Sequence, residues 1–181
     1  MGHLKGGVNA IRETFHMIKI GDSIPSVTLY VLGDDGGPEA VTTDELFADK
    51  VVAFFGLPGA FTPTCSAQHL PGYIENTDAL LEKGADEIIC LSVNDAFVMA
   101  AWGKDQGATG KVTMVADGSA DFARAAGLEL DLVERGLGIR CQRFSMIVEN
   151  KVVKDIQVED PPETEKTGAE AMLERMSGAL S

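Results

Sequence analysis

Phe55-Gly56-Leu57-Pro58-Gly59-Ala60-Phe61-Thr62-Pro63-Thr64-Cys65-Ser66-Ala67-Gln68-His69-Leu70-Pro71-Gly72-Tyr73 is the stretch on which this chain is read. It grows out of an unbroken apolar run, Val51-Val52-Ala53-Phe54-Phe55, which suits a strand covered on both faces. Gly56 to Thr64 follow with two prolines and two glycines and read as a loop. From Cys65 to about Lys83 the pattern predicts a helix, kinked at Pro71-Gly72. Strand, loop and helix together put Cys65 in a first helical turn. Free N–H groups and the positive end of the helix dipole then face its sulfur. That setting favours thiolate over thiol, and only the thiolate is a nucleophile. Pro58 and Pro63 remove two backbone donors and stiffen the loop, so the cavity over the sulfur can be tight and preformed.

Working outward, Val27 to Leu32 and Glu39 to Val41 flank the turn Gly33-Asp34-Asp35-Gly36-Gly37-Pro38, an N-terminal β-hairpin. Thr42-Thr43-Asp44-Glu45 has capping-box spacing and opens a short helix to Ala48. Glu87 to Val93 is a second buried strand, after which Asn94 or Asp95 caps a helix to about Lys104. Val112 to Val115 is a third strand, and Ser119 to Ala126 a helix ended by Gly127. Gln142 to Glu149 and Val152 to Val158 flank Asn150-Lys151 as a second hairpin. An acidic, proline-bearing loop, Glu159 to Glu165, leads to a last amphipathic helix over Gly168 to Leu180. This order predicts an α/β three-layer sandwich with a mixed sheet, in which the Cys65 helix crosses between parallel strands.

The whole chain of 181 residues suits one domain, read as 17–181 behind an N-terminal extension, 1–16. Apolar residues at 45% and charged ones at 24% exclude wholesale disorder. The net charge of −13 repels phosphate backbones and anionic membranes, so neither nucleic acid nor a membrane is an expected partner. The longest apolar run, Val51 to Phe61, contains Pro58 and falls far short of the ~20 residues of a spanning helix. Residues 1–16 hold no long apolar segment, and Lys5, Arg12 and Glu13 leave organellar targeting open. Three cysteines cannot all pair, which points to a reducing, cytoplasmic setting. No C-x-x-C or H-x-x-x-H pair occurs, and neither a metal nor a cofactor is expected.

Pro58-x-x-x-Thr62-x-x-Cys65, continued by His69-Leu70-Pro71-Gly72, resembles the active-site signature of the peroxiredoxins, in particular the type II or peroxiredoxin V subfamily. Leu91-Ser92-Val93-Asn94-Asp95, Ala101-Trp102, Ala116-Asp117-Gly118 and Arg143-Phe144-Ser145-Met146 extend the resemblance from about Ile18 to the C-terminus. The resemblance implies a thioredoxin-like fold and a thiol-dependent peroxidase. Such an enzyme reduces hydrogen peroxide and organic hydroperoxides through a cysteine sulfenic acid, without a cofactor. It assigns Cys65 as nucleophile and Thr62, Arg143 and Pro58 as its companions. Thr62 is expected to donate its hydroxyl to the peroxide, and Arg143 to stabilise the thiolate through a fixed fork of donors.

The resemblance leaves the recycling step open. Cys90, 25 residues after Cys65, stands where plant-type members keep a resolving cysteine, yet Ile88-Ile89-Cys90-Leu91 reads as a buried strand. Cys141 shares a face with Arg143 if the strand begins that early, and otherwise is incidental. The remaining reductant is an external thiol: glutathione, glutaredoxin or thioredoxin. A homodimer is expected, with Phe97 and Trp102 either at its edge or in the core. Two rivals stand beside the enzyme. One is a redox-sensing binding module in which Cys65 is oxidised without turnover. The other is a hydrolase with His69 as base, four residues after Cys65, for which no third residue orients the imidazole.

Overall fold

A computed structural model describes residues 16–160 and 162–180. The predicted first hairpin forms as β1 (Thr28–Leu32) and β2 (Pro38–Thr42). Helix α1 (Thr43–Phe47) starts from the full capping box, with Thr42 accepting from Glu45 N and Glu45 reaching back to Thr42 N. The central strand β3 (Val51–Leu57) pairs in parallel with β4 (Glu87–Ser92), which pairs in parallel with β5 (Thr113–Ala116). β8 (Arg143–Glu149) lies antiparallel on the other side of β3 and returns through β9 (Val152–Glu159). The turn residues Asn150 and Lys151 both take positive φ, 44° and 70°, as a two-residue hairpin loop requires. The sheet therefore runs β2-β1-β5-β4-β3-β8-β9.

Alternation along β3 builds two cores. Ala53, Phe55 and Leu57 face a layer made by α2 (Leu70–Glu75), α3 (Thr77–Glu82), α4 (Ala96–Gln106) and α6 (Ala169–Ala179). Val52 and Phe54 face α1 and α5 (Asp121–Ala125). On this second face Phe54 meets Phe47, Phe122 and Phe144 edge-on, with centroids 5.0, 5.4 and 5.1 Å away. Gly56 has no side chain because the Phe144 ring occupies that space across the register. The expected three layers and mixed sheet are present.

Three local expectations change. The Cys65 helix opens as a π-helical turn, Cys65–His69, with Leu70 N–H donating to Cys65 O. Its break falls at Asn76 (φ −99°, ψ 11°) and not at Pro71-Gly72, because Pro71 sits in the first turn of α2, where a missing N–H is tolerated. Between α5 and β8 lies an additional antiparallel pair, β6 (Glu129–Leu132) and β7 (Gly138–Cys141). Its signal was present as the alternation Leu128, Leu130, Leu132 before Gly136-Leu137-Gly138.

Candidate active site

The end of β3 delivers Pro58 and Gly59, both buried, into the loop that leads to Cys65. Gly59 O accepts the Thr62 hydroxyl at 2.6 Å, and Thr62 O accepts Ser66 N–H at 3.0 Å. The loop thus folds over the start of the π turn. Cys65 itself is 1% exposed. Arg143, first residue of β8 and equally buried, aims its guanidinium at the sulfur: Nη2 donates to Cys65 Sγ at 3.3 Å. The same guanidinium donates through Nη1 to His69 Nδ1 at 2.9 Å. Its Nε–H is buried and has no partner.

A buried cation here meets sulfur and imidazole, and no carboxylate is among its hydrogen-bond partners. A cation at that distance favours an anionic sulfur over a neutral one. His69 is neutral, held down to about 3 by burial and by the Arg143 charge. Thr62 presents lone pairs to the site, since its hydrogen points to Gly59 O. The hydroxyl expected to donate to the peroxide is here bonded to the loop carbonyl. The arrangement suits a nucleophilic sulfur facing a substrate that both donates and accepts a hydrogen bond.

The redoxin family pattern matches residues 19–173. Peroxiredoxin-2D of Arabidopsis thaliana is 44% identical over 159 residues, 88% of this chain and 98% of its own. The chain belongs to the redoxin family, as a type II peroxiredoxin. Reduced Prx3 of Vibrio vulnificus in complex with hydrogen peroxide superposes with a TM-score of 0.84 at 48% identity, over 88% of this chain and 99% of that one. A Burkholderia cenocepacia protein provisionally named a thioredoxin reductase gives 0.85 at 50%, over 88% and 98%. Its name stands apart from the others; the loop from Pro58 to Cys65 and the buried Cys65–Arg143 pair side with the peroxiredoxins.

As a type II peroxiredoxin the protein has the thioredoxin-like fold and is a thiol-dependent peroxidase with an antioxidant role, taking a peroxide substrate and a thiol reductant. Among the described residues no helix is long and apolar enough to cross a membrane. Cys90 lies in β4, fully buried in the same core as Cys65. Burial pushes its thiol well up, with a further push from Cys65. Cys141 ends β7 and is buried in the opposite core, beside Phe144 and not Arg143. The shared face with Arg143 fails because Gln142 interrupts the two strands, its N–H going to Leu128 O. Trp102 is core and wholly buried, whereas Phe97 is 54% exposed, so only Phe97 remains available to a partner. For His69 the expected lack of an orienting residue is also corrected: Thr167 O lies 3.1 Å from Nε2.

Three bracing residues were not read as such from sequence. Asn94 Oδ1 accepts Ala60 N–H at 3.0 Å and the Ser92 hydroxyl at 2.7 Å, while Asp95 alone caps α4. Trp102 Nε1 donates to Ser66 Oγ at 3.0 Å. Arg140 of β7 donates through Nη1 to Pro58 O at 3.2 Å and through Nε to Leu137 O at 2.7 Å. Gly59 leaves room for that guanidinium, since a Cβ there would stand 2.6 Å from Nη1. We predict that Arg140→Ala loosens the Pro58-Gly59 peptide, and with it Thr62. The peroxide rate constant should fall by up to about 10²-fold with the Cys65 thiolate absorbance unchanged. Stopped-flow kinetics with unaltered rate would remove Arg140 from this account.

Proposed function

We propose that Cys65 is the attacking sulfur, with Arg143, Thr62 and Pro58 shaping its pocket. The reading is carried by one observation: a buried guanidinium with one N–H on Cys65 Sγ and another, Nε–H, without a partner. The thiolate attacks the terminal oxygen of a hydroperoxide. An S–O bond forms, the O–O bond breaks, and an alkoxide or hydroxide leaves to take a proton from water. Sulfur is oxidised by two electrons to the sulfenic acid, and the peroxide is reduced to an alcohol or water. Negative charge moves from sulfur to the departing oxygen, so fixed donors contribute more than a base. Arg143 supplies such donors on the sulfur side, and Thr62 Oγ1 accepts the substrate O–H. Pro58, without an N–H, keeps the β3 terminus from offering a competing donor.

The reductant we infer is an external thiol, glutathione with glutaredoxin ahead of thioredoxin. A first thiol condenses with the sulfenic acid, releasing water and leaving a mixed disulfide, and a second thiol displaces Cys65. Support comes from Cys90, whose full burial and raised thiol slow it as an internal partner. Peroxide consumption should proceed over many turnovers with glutathione plus glutaredoxin, and Cys90→Ser should keep most of that turnover. Loss with every reductant while Cys65 still oxidises would make Cys90 the resolving cysteine. Oxidation of Cys65 once, with no reductant restoring it, would instead favour the redox-sensing module.

We also infer a cytoplasmic homodimer of two copies of this chain, each with residues 17–181 as its domain and 1–16 as an extension. The large apolar side chains Phe61 and Phe97 are 55% and 54% exposed, beside Tyr30 and Leu32 at 42% and 40%. Phe61 belongs to the cysteine loop itself, with its ring centroid 6.5 Å from that of Trp102 in α4. Sedimentation equilibrium should give the mass of two chains, and Phe97→Asp should give one. Three free thiols in an odd set are the support for a reducing compartment, tested by cell fractionation.

A further inference from the structure

Glu159 is a buried carboxylate that the peroxidase chemistry does not use. It ends β9 directly across the register from Arg143. Its oxygens accept Lys166 N–H at 2.8 Å, Thr167 N–H at 3.0 Å and the Thr167 hydroxyl at 2.6 Å. These bonds turn the chain so that Thr167 O points inward. That carbonyl accepts the Tyr73 hydroxyl at 2.7 Å and lies 3.1 Å from His69 Nε2.

A carbonyl can only accept, so Nε2 carries the imidazole hydrogen. Nδ1 is then a bare lone pair, and it faces the Arg143 Nη1–H at 2.9 Å. The reversed tautomer would set two donors against each other. The ring plane is held as well: Phe55 meets His69 edge-on at 5.0 Å and stacks on Tyr73 at 3.8 Å. The direction of each hydrogen bond therefore fixes the next, from Glu159 through Thr167, His69 and Arg143 to Cys65. Without the Nδ1 acceptor, a buried guanidinium edge would be unsatisfied and the fork would swing to find a partner.

We propose that His69 is a positioning residue: its Nδ1 holds the Arg143 guanidinium against Cys65 Sγ, and the Glu159–Thr167 anchor on the C-terminal segment sets its direction. The role rests on Cys65 being the attacking sulfur. It differs from that of a general base, because the ring stays neutral and its free lone pair is spent on arginine.

The test compares His69→Leu, His69→Asn and Glu159→Gln with the unaltered protein. Thiolate absorbance at 240 nm reads the sulfur without turnover, and stopped-flow reads the peroxide reaction. His69→Leu should lower the thiolate fraction at neutral pH and reduce the peroxide rate constant by about 10²-fold. His69→Asn, whose Oδ1 can stand where Nδ1 stood, should recover part of both. An amide cannot take a proton, so equal losses in His69→Asn and His69→Leu would overturn the positioning role in favour of a base. Unchanged thiolate and rate in His69→Leu would overturn it outright. Glu159→Gln should lower the rate alone but add little on top of His69→Leu, since both act through one guanidinium. Full additivity would sever the anchor from the site. Should His69→Leu fail to fold, the thiolate fraction and rate of His69→Asn and Glu159→Gln decide the matter in the same directions. Failure of the underlying reading is seen separately: in the unaltered protein a sulfenate-trapping label would then miss Cys65.

Discussion

Replacing Cys65 by serine should abolish hydroperoxide reduction while leaving the fold in place. Serine is nearly isosteric, and the Arg143 Nη2–H that meets Sγ at 3.3 Å can donate to a hydroxyl oxygen as well. The chemistry does not survive, because a serine hydroxyl is not ionised near neutral pH and oxygen attacks a peroxide bond poorly. Cys90→Ser and Cys141→Ser should each leave the peroxide-reducing step intact. Both thiols are fully buried and pushed well up by that burial, so neither supplies a thiolate. Stopped-flow peroxide consumption and mass spectrometry of the trapped sulfenate read both results. Repeated turnover by Cys65→Ser would move the chemistry to another residue.

Arg143→Gln is expected to have the next largest effect. Glutamine removes the buried positive charge next to Sγ and the Nη1–H to His69. Loss of one such preorganised donor costs ~10²–10³ in rate. The thiolate fraction at neutral pH should fall too, because the opposite charge that favours the anion is gone. Arg143→Lys keeps the charge but not the fork, so it should restore thiolate more than rate. A 240 nm titration of Arg143→Gln that matched the unaltered protein would falsify the electrostatic role.

Cys65 and its loop were legible because the signal is local: an apolar strand, two prolines and two glycines, then a helix with cysteine at its start. Local rules also located the Thr42–Glu45 capping box and the Asn150-Lys151 turn, where side chain and backbone meet within four residues. The β6–β7 pair carried an alternating signal as well, weakened by short, half-exposed strands with charges between the leucines.

What the sequence by itself determined is thus the order of the central strands and their helices, the loop that carries Cys65, and through its motifs the family. Only the tertiary structure decided which distant groups converge on the sulfur. Arg143 stands 78 positions after Cys65, and Thr167 lies 98 from His69; no periodicity links them. β8 pairs beside β3, and this registers Gly56 against Phe144 and so carries Arg143 to the end of the cysteine strand. The fate of the other cysteines was likewise a matter of packing. A strand presents alternate residues to opposite cores, so Cys90 shares the core of Cys65 while the interruption at Gln142 sends Cys141 to the other one. Hydrogen-bond direction was the last thing settled in three dimensions. The Thr62 hydroxyl turns to Gly59 O and the His69 hydrogen to Thr167 O because those carbonyls are the nearest acceptors once the chain has folded around them.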